Sequence, residues 1–97
     1  MAYEALSLCP RQAWQARATD GSFASGGRLP VNLSGGVLTW NPVFCTGLIR
    51  IAEVANQIRG RAGPHQLPNV HRGLAHAGSG FAMQYQAAVV LGREARA

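Results

Sequence analysis

The stretch from Thr46 to Arg59 constrains the fold more than any other part of the chain. Its apolar residues Leu48, Ile51, Ala52, Ala55 and Ile58 recur at helical spacing, and Arg50, Glu53, Asn56 and Gln57 fill the other face. Thr46 offers a side-chain oxygen for the helix start. Gly60 offers a residue tolerant of positive φ for the stop, and Pro64 follows soon after. The pattern predicts a helix from Thr46 to Arg59 with one apolar stripe to bury. The residues beyond it supply a surface. Val70 to Ala77 reads as a moderately apolar strand, which Gly78-Ser79-Gly80 ends. Phe81 to Leu91 then carries Met83, Tyr85, Ala87, Val89 and Leu91 at period two, with Ala88 and Val90 between them. This predicts a second strand, buried on both faces near its end. Two strands around a glycine turn make an antiparallel pair, so the expected class is α/β, with one main helix packed on that pair.

The residues ahead of this unit are less patterned. Tyr3 to Ala18 is alanine-rich, with Leu6, Leu8 and Trp14 among Gln and Arg, and Pro10 interrupts it. A helical turn or two before Pro10 and a short helix from Pro10 to Ala18 are expected, because proline suits a first helical position and not an interior one. Asp20-Gly21-Ser22 and Ser25-Gly26-Gly27 mark a loop from which no core element is expected. Leu29 to Leu33 reads as a short extended piece. Ser34-Gly35-Gly36 then supplies a tight turn.

At 97 residues the chain is long enough for one small domain, which buries roughly 60 to 70% of the surface its unfolded chain exposes. Residues 1–97 are therefore read as a single unit, with 1–28 a helical and loop lead-in and 29–92 the loop, helix and strand pair. The net charge of +5 comes from nine basic residues, all arginine, against Glu4, Asp20, Glu53 and Glu94. Those arginines are scattered from Arg11 to Arg96 without a run, so nucleic-acid binding is not expected. A positive surface also draws phosphorylated substrates. Cys9 and Cys45 lie far apart behind an N-terminus without a basic region and apolar core, which predicts a cytoplasmic protein with reduced thiols. No apolar run approaches the roughly 20 residues needed to span a bilayer, so membrane insertion is not expected. Cys9, Cys45 and the three histidines lack paired ligand spacing, so no metal site is expected.

The segment Val31-Asn32-Leu33-Ser34-Gly35-Gly36-Val37-Leu38-Thr39-Trp40-Asn41-Pro42-Val43-Phe44-Cys45-Thr46-Gly47 runs directly into the helix and reads as an active-site loop. Its Ser-Gly-Gly turn and Thr-Gly helix start resemble the G-H-P-x-G-A-T-G segment of the thiolase superfamily. The similarity extends from about Tyr3 to Gly92. Tyr3 to Pro10, Gly27-Arg28-Leu29-Pro30-Val31-Asn32 and Gly47 to Glu53 resemble segments of the sterol-carrier-protein-like branch. In the family the loop carries a histidine that activates a nucleophilic cysteine and polarises a thioester carbonyl. Asn41 stands at that position here. An amide can donate a hydrogen bond to a carbonyl or oxyanion but cannot serve as a base, so the resemblance implies oxyanion stabilisation without cysteine activation. The alternative is that Asn41 only caps a turn before Pro42. Phe44 replaces the family glycine and would narrow an acyl channel. Cys45 replaces an alanine and is read as a small buried residue, not a nucleophile.

The family's C-x-G-x-G motif corresponds to His76-Ala77-Gly78-Ser79-Gly80. Imidazole is a sensible substitute for a proton-shuttling cysteine, so His76 is the second candidate catalytic residue beside Asn41. Alternatively it is a strand-end histidine that is merely hydrogen-bonded. Gly35, Gly36, Gly78 and Gly80 are candidate substrate-binding positions where backbone approaches a ligand. His65 and His71 match no motif and are read as surface residues. The resemblance implies an acyl-CoA thioester as substrate, no separate cofactor, and an oligomer. It also implies an N-terminal thiolase-like half, or a separate subunit, bearing the nucleophilic cysteine. The expected role is part of an acyltransferase or lyase of lipid or sterol side-chain metabolism that is inactive alone. A non-catalytic interaction subunit and a basic nucleic-acid binder are the alternatives.

Overall fold

The computed structural model describes residues 2–39 and 43–94. They form two compact units that divide after Leu33.

The first unit holds two short helices, α1 (Ala2–Ala5) and α2 (Trp14–Thr19). Pro10 precedes α2 by a turn closed by Ala13 N–H donating to the Pro10 carbonyl at 3.1 Å, so the helix begins four residues later than the proline pattern predicts. The Glu4 carboxylate accepts the Gln12 N–H at 2.6 Å and ties α1 to this turn. The glycine-rich loop after α2 contributes more than a connection. Phe23 stacks on Tyr3 with ring centroids 5.0 Å apart. The amides of Leu29 and Val31 donate to the carbonyls of Ser22 and Phe23, both at 3.0 Å. The expected extended piece from Leu29 to Leu33 does not form: Leu29 is a bend, Asn32 has φ +54° and Leu33 enters a turn, because these backbone bonds tie the segment to the preceding loop instead of a strand. Cys9 is the buried apolar residue of this unit.

The second unit contains α3 (Thr46–Arg59), β1 (Arg72–Ser79) and β2 (Tyr85–Gly92). Strands β1 and β2 pair antiparallel, with Arg72 opposite Gly92 and Ser79 opposite Tyr85. The helix spans the residues its sequence predicts. Its end is a Schellman motif: Gly60 adopts φ +71°, its N–H reaches the Gln57 carbonyl at 3.2 Å, and the Arg61 N–H reaches that of Asn56 at 2.8 Å. At the start, Cys45 takes the capping position and no side chain caps it, because Thr46 is already helical.

The face of α3 that meets β1 differs from the apolar stripe. A Cβ on Gly47 would lie 3.2 Å from the Ala77 methyl, and Val54 packs so closely on Gly73 that a Cβ there would lie 2.5 Å from its Cγ1. Between them the Arg50 guanidinium donates to the His76 carbonyl at 2.6 Å. The contacting residues Gly47, Arg50 and Val54 follow helical spacing, and Leu48 on another face stays 69% exposed. The inner sheet face opposite them presents Gly73, Ala75 and Ala77, paired with Leu91, Val89 and Ala87. These small residues on β1 admit the helix, and Ala75 is buried.

Gln57, expected on the polar face, is buried at 8% exposure. Its Nε2 donates to Glu53 Oε1 at 3.2 Å and to the His65 carbonyl at 2.8 Å, while its Oε1 accepts the Leu67 N–H at 2.9 Å. Gln66 answers by donating to the Gln57 carbonyl at 2.9 Å. These bonds fasten the segment after α3 onto the helix.

The strand boundaries also shift. Gly78 and Ser79 remain in the ladder opposite Gln86 and Tyr85, so the glycines do not end β1. The reversal lies at Gly80 to Gln84, where a 3₁₀ turn (Phe81–Met83) places Ala82 and Met83 at φ +53° and +57°. Nor is β2 buried on both faces: all its residues but Leu91 are exposed, since α3 packs mainly on β1 and nothing among the described residues covers the outer face.

Candidate functional site

Gly35 and Gly36 form the turn that enters the loop. Both have positive φ, +78° and +56°, and they lead into a 3₁₀ turn (Gly36–Leu38) that packs beside α3. A Cβ on Gly35 would lie 2.6 Å from a Thr39 methyl, so glycine is required there twice over. The Thr39 hydroxyl closes the turn by donating to the Ser34 carbonyl at 2.6 Å. Asn41, the first candidate catalytic residue, lies outside the described residues.

Where the loop resumes it is open. Phe44 is 98% exposed, so its ring lines no channel here. Cys45 is exposed as well, contrary to the expectation of a small buried side chain, because the residues flanking the helix start meet no covering layer.

His76 sits near the end of β1. Since Ala75 and Ala77 face α3, strand alternation directs the His76 side chain to the opposite sheet face. There its Nε2 meets Gln86 Oε1 at 2.6 Å. Gly78 and Gly80 are likewise filled by neighbours: Gln86 and Met83 lie over Gly78, and the Tyr85 ring lies over Gly80, which adopts φ +82°. The turn of Gly35 and Gly36 packs beside α3, on the other side of the sheet. The described residues therefore do not bring His76 together with Gly35 and Gly36.

His65 approaches Glu53, with Nε2 2.9 Å from Oε1, so it belongs to the network that anchors α3, whereas His71 is exposed. No group of three or more His, Cys, Asp or Glu residues suited to a metal ion occurs among the described residues. No described helix is long and apolar enough to cross a membrane. The scattered arginines converge in one place that linear spacing did not reveal. Arg59, Arg61 and Arg93 line a shallow cleft with Ile58 and Gly92. The first two lie at the C-terminal end of α3, where positive charge complements the helix dipole.

The family described as thiolase C-terminal domain-like matches residues 1–93. The chain belongs to that family. Among curated relatives of this thiolase-like chain, sterol carrier protein 2 of Oryctolagus cuniculus is 39% identical over 77 residues, covering 78% of this chain and 14% of the relative. An acetyl-CoA acetyltransferase of Methanothermobacter thermautotrophicus is 40% identical over 58 residues, covering 59% of the chain and 15% of the relative. The benzoylsuccinyl-CoA thiolase subunit BbsB of Thauera aromatica is 32% identical over 71 residues, or 72% of the chain and 18% of that subunit. The thiolase-like chain thus spans about one seventh of the length of the sterol carrier proteins it matches. No solved structure matches it.

Of the residues that sequence reasoning missed, Gln86 and Arg50 matter most, since both bond to His76. Gln86 is brought to His76 by the strand register, which places it diagonally across the pair and which the sequence pattern alone does not give. Nothing local pointed to the second.

Proposed function

We propose that this chain is the C-terminal portion of a thiolase-like acyl-CoA acyltransferase, or of a lyase built on the same architecture, acting in lipid or sterol side-chain metabolism. The match of residues 1–93 to the family, within a chain that covers 14 to 18% of its relatives, is the observation that carries this reading. The rest of the catalytic apparatus, including the nucleophilic cysteine, resides in an N-terminal thiolase-like half or a separate subunit, and the assembly is an oligomer. Its substrate is a coenzyme A thioester, with no further cofactor.

In this reading Asn41 donates a hydrogen bond to the thioester oxygen. Such a donor stabilises charge that develops on the oxygen in the transition state and needs no proton transfer of its own. His76 carries the proton, and Gly35 and Gly36 form the turn that leads into the Asn41 loop, while Gly78 and Gly80 leave room for the Gln86, Met83 and Tyr85 side chains beside the histidine. Because His76 points away from α3, the proton it moves belongs to chemistry on the outer sheet face, which the partner must cover. The test is co-expression with an N-terminal thiolase-like chain, followed by turnover of acetyl-CoA or acetoacetyl-CoA. His76→Ala and Asn41→Ala are each expected to lower turnover by about 10² or more. A complex whose turnover is indifferent to both substitutions contradicts the assignment.

The exposed apolar surface favours a second reading, a non-catalytic interaction subunit. Phe44, Leu48 and Val90 are 98%, 69% and 68% exposed, and β2 has an open edge of the kind that pairs with another chain. A complex that forms normally, yet turns over acyl-CoA equally well with and without both substitutions, decides for it.

A further inference from the structure

The side chain that meets the His76 ring comes from the facing strand, outside the recognised motif. In the β1–β2 register His76 lies opposite Ala88 and Gly78 opposite Gln86, so His76 and Gln86 are diagonal neighbours on the outer face. Gln86 bridges the strands, with Oε1 2.6 Å from His76 Nε2. Its other amide atom, Nε2, donates to the Met83 carbonyl. That carbonyl can only accept, so it fixes which end of the amide faces the histidine: nitrogen toward the turn and oxygen toward the ring.

An oxygen facing His76 Nε2 requires a proton on that nitrogen. The neutral ring then carries its lone pair on Nδ1.

We propose that Gln86 is a positioning residue that locks neutral His76 in the Nε2–H tautomer and presents Nδ1 as the proton-accepting atom. The Oε1 contact persists when Nδ1 takes a proton, because both ring nitrogens of the cation are donors, and it steadies the ring through the transfer. The inference rests on the proton-carrying role given to His76 above.

Two backbone features serve this arrangement. A Cβ at position 78 would lie 2.5 Å from Met83 Cε, 2.9 Å from Gln86 Nε2 and 3.1 Å from its Oε1, so glycine leaves the path along which the amide reaches the ring. The turn also holds Ala82 and Met83 in the left-handed region, at φ +53° and +57°, and thereby sets the Met83 carbonyl to accept from Gln86. Two adjacent non-glycine residues there are a strained arrangement that the rest of the turn must hold in place. From the other sheet face Arg50 donates to the His76 carbonyl at 2.6 Å and anchors the strand beneath the ring.

The experiment is long-range ¹H–¹⁵N NMR of the imidazole nitrogens in the full chain, in alkaline buffer where the ring is neutral by its ¹⁵N shifts, with its signals assigned by comparison with His76→Asn. The wild-type ring is expected to show Nε2 protonated and Nδ1 bare. Gln86→Leu is expected to give a mixture of tautomers, and Gln86→Glu, which keeps an acceptor oxygen, to restore the Nε2–H form. A wild-type ring protonated on Nδ1, or a tautomer unchanged in Gln86→Leu, overturns the proposal. Neither readout needs substrate. If the tautomer responds as expected while turnover of the co-expressed complex is the same with and without His76→Ala, the positioning stands and the proton-carrying role of His76 falls.

Discussion

Single glycines decide how closely the helix and sheet can approach. Gly73 accepts Val54 at a distance that no real Cβ contact allows, whereas Gly26 has open space around it and an ordinary φ. Gly73→Ala is expected to lower the unfolding free energy by about 1–3 kcal/mol through overpacking, and Gly26→Ala to change it by less than about 0.5 kcal/mol. Urea denaturation of the two variants beside the parent chain measures both. Asp20 offers a second check at this scale. The Ser22 hydroxyl and the Ser22 N–H, the latter at 2.8 Å, hydrogen-bond its carboxylate and hold its pKa below the ordinary 3.8. A depressed carboxylate pKa adds stability that is present above the unfolded value and is lost as pH falls through the lower folded value. A carbon-detected titration should find Asp20 half-protonated below pH 3.8, with the Ser22 amide shift moving in step.

Among the elements, α3 shows most clearly what local pattern can and cannot reveal. Its bounds were legible because they depend on nearby residues: the helical period inside, and a glycine at the end that closes a Schellman motif. Its packed face was not legible. Hydropathy pointed to Leu48 and Ala52, but β1 offers alanine and glycine at close approach, and the residues that fit are Gly47, Arg50 and Val54. Gln57 is buried for a related reason. A glutamine is buried where loop donors and acceptors happen to meet it, and those partners, His65 and Leu67, come from a turn whose path the sequence does not disclose. Gln57→Leu leaves the Leu67 N–H and the His65 carbonyl without partners, and is expected to cost about 1–3 kcal/mol for each group that stays buried. A lowered denaturation midpoint with an unchanged slope is the expected signature. At the hairpin, the glycines were read as a strand end although the ladder runs through them, because an antiparallel pair can keep glycine where a cross-strand side chain fills its space, as Gln86 does at Gly78. The same cross-strand logic hid Gln86 from a motif-based reading of the site.

For the whole molecule, the apolar residues expected to build a core lie largely at the surface. Among the described residues the buried apolar ones are Cys9, Ala62 and Ala75, while Leu38, Phe44 and Phe81 are 91%, 98% and 89% exposed. Apolar side chains this exposed are the surface that the proposed partner would cover. The central claim is that this chain works as the C-terminal part of a larger acyl-CoA-binding assembly, and hydrogen exchange tests it directly. In a co-expressed complex with an N-terminal thiolase-like chain, the amides of Tyr85–Gly92 should exchange at least about tenfold more slowly than in the chain alone, as burial of an open strand edge requires. Addition of acetyl-CoA should slow exchange further in residues 34–47. Exchange that is the same in both segments, with and without the partner and acetyl-CoA, would contradict the account.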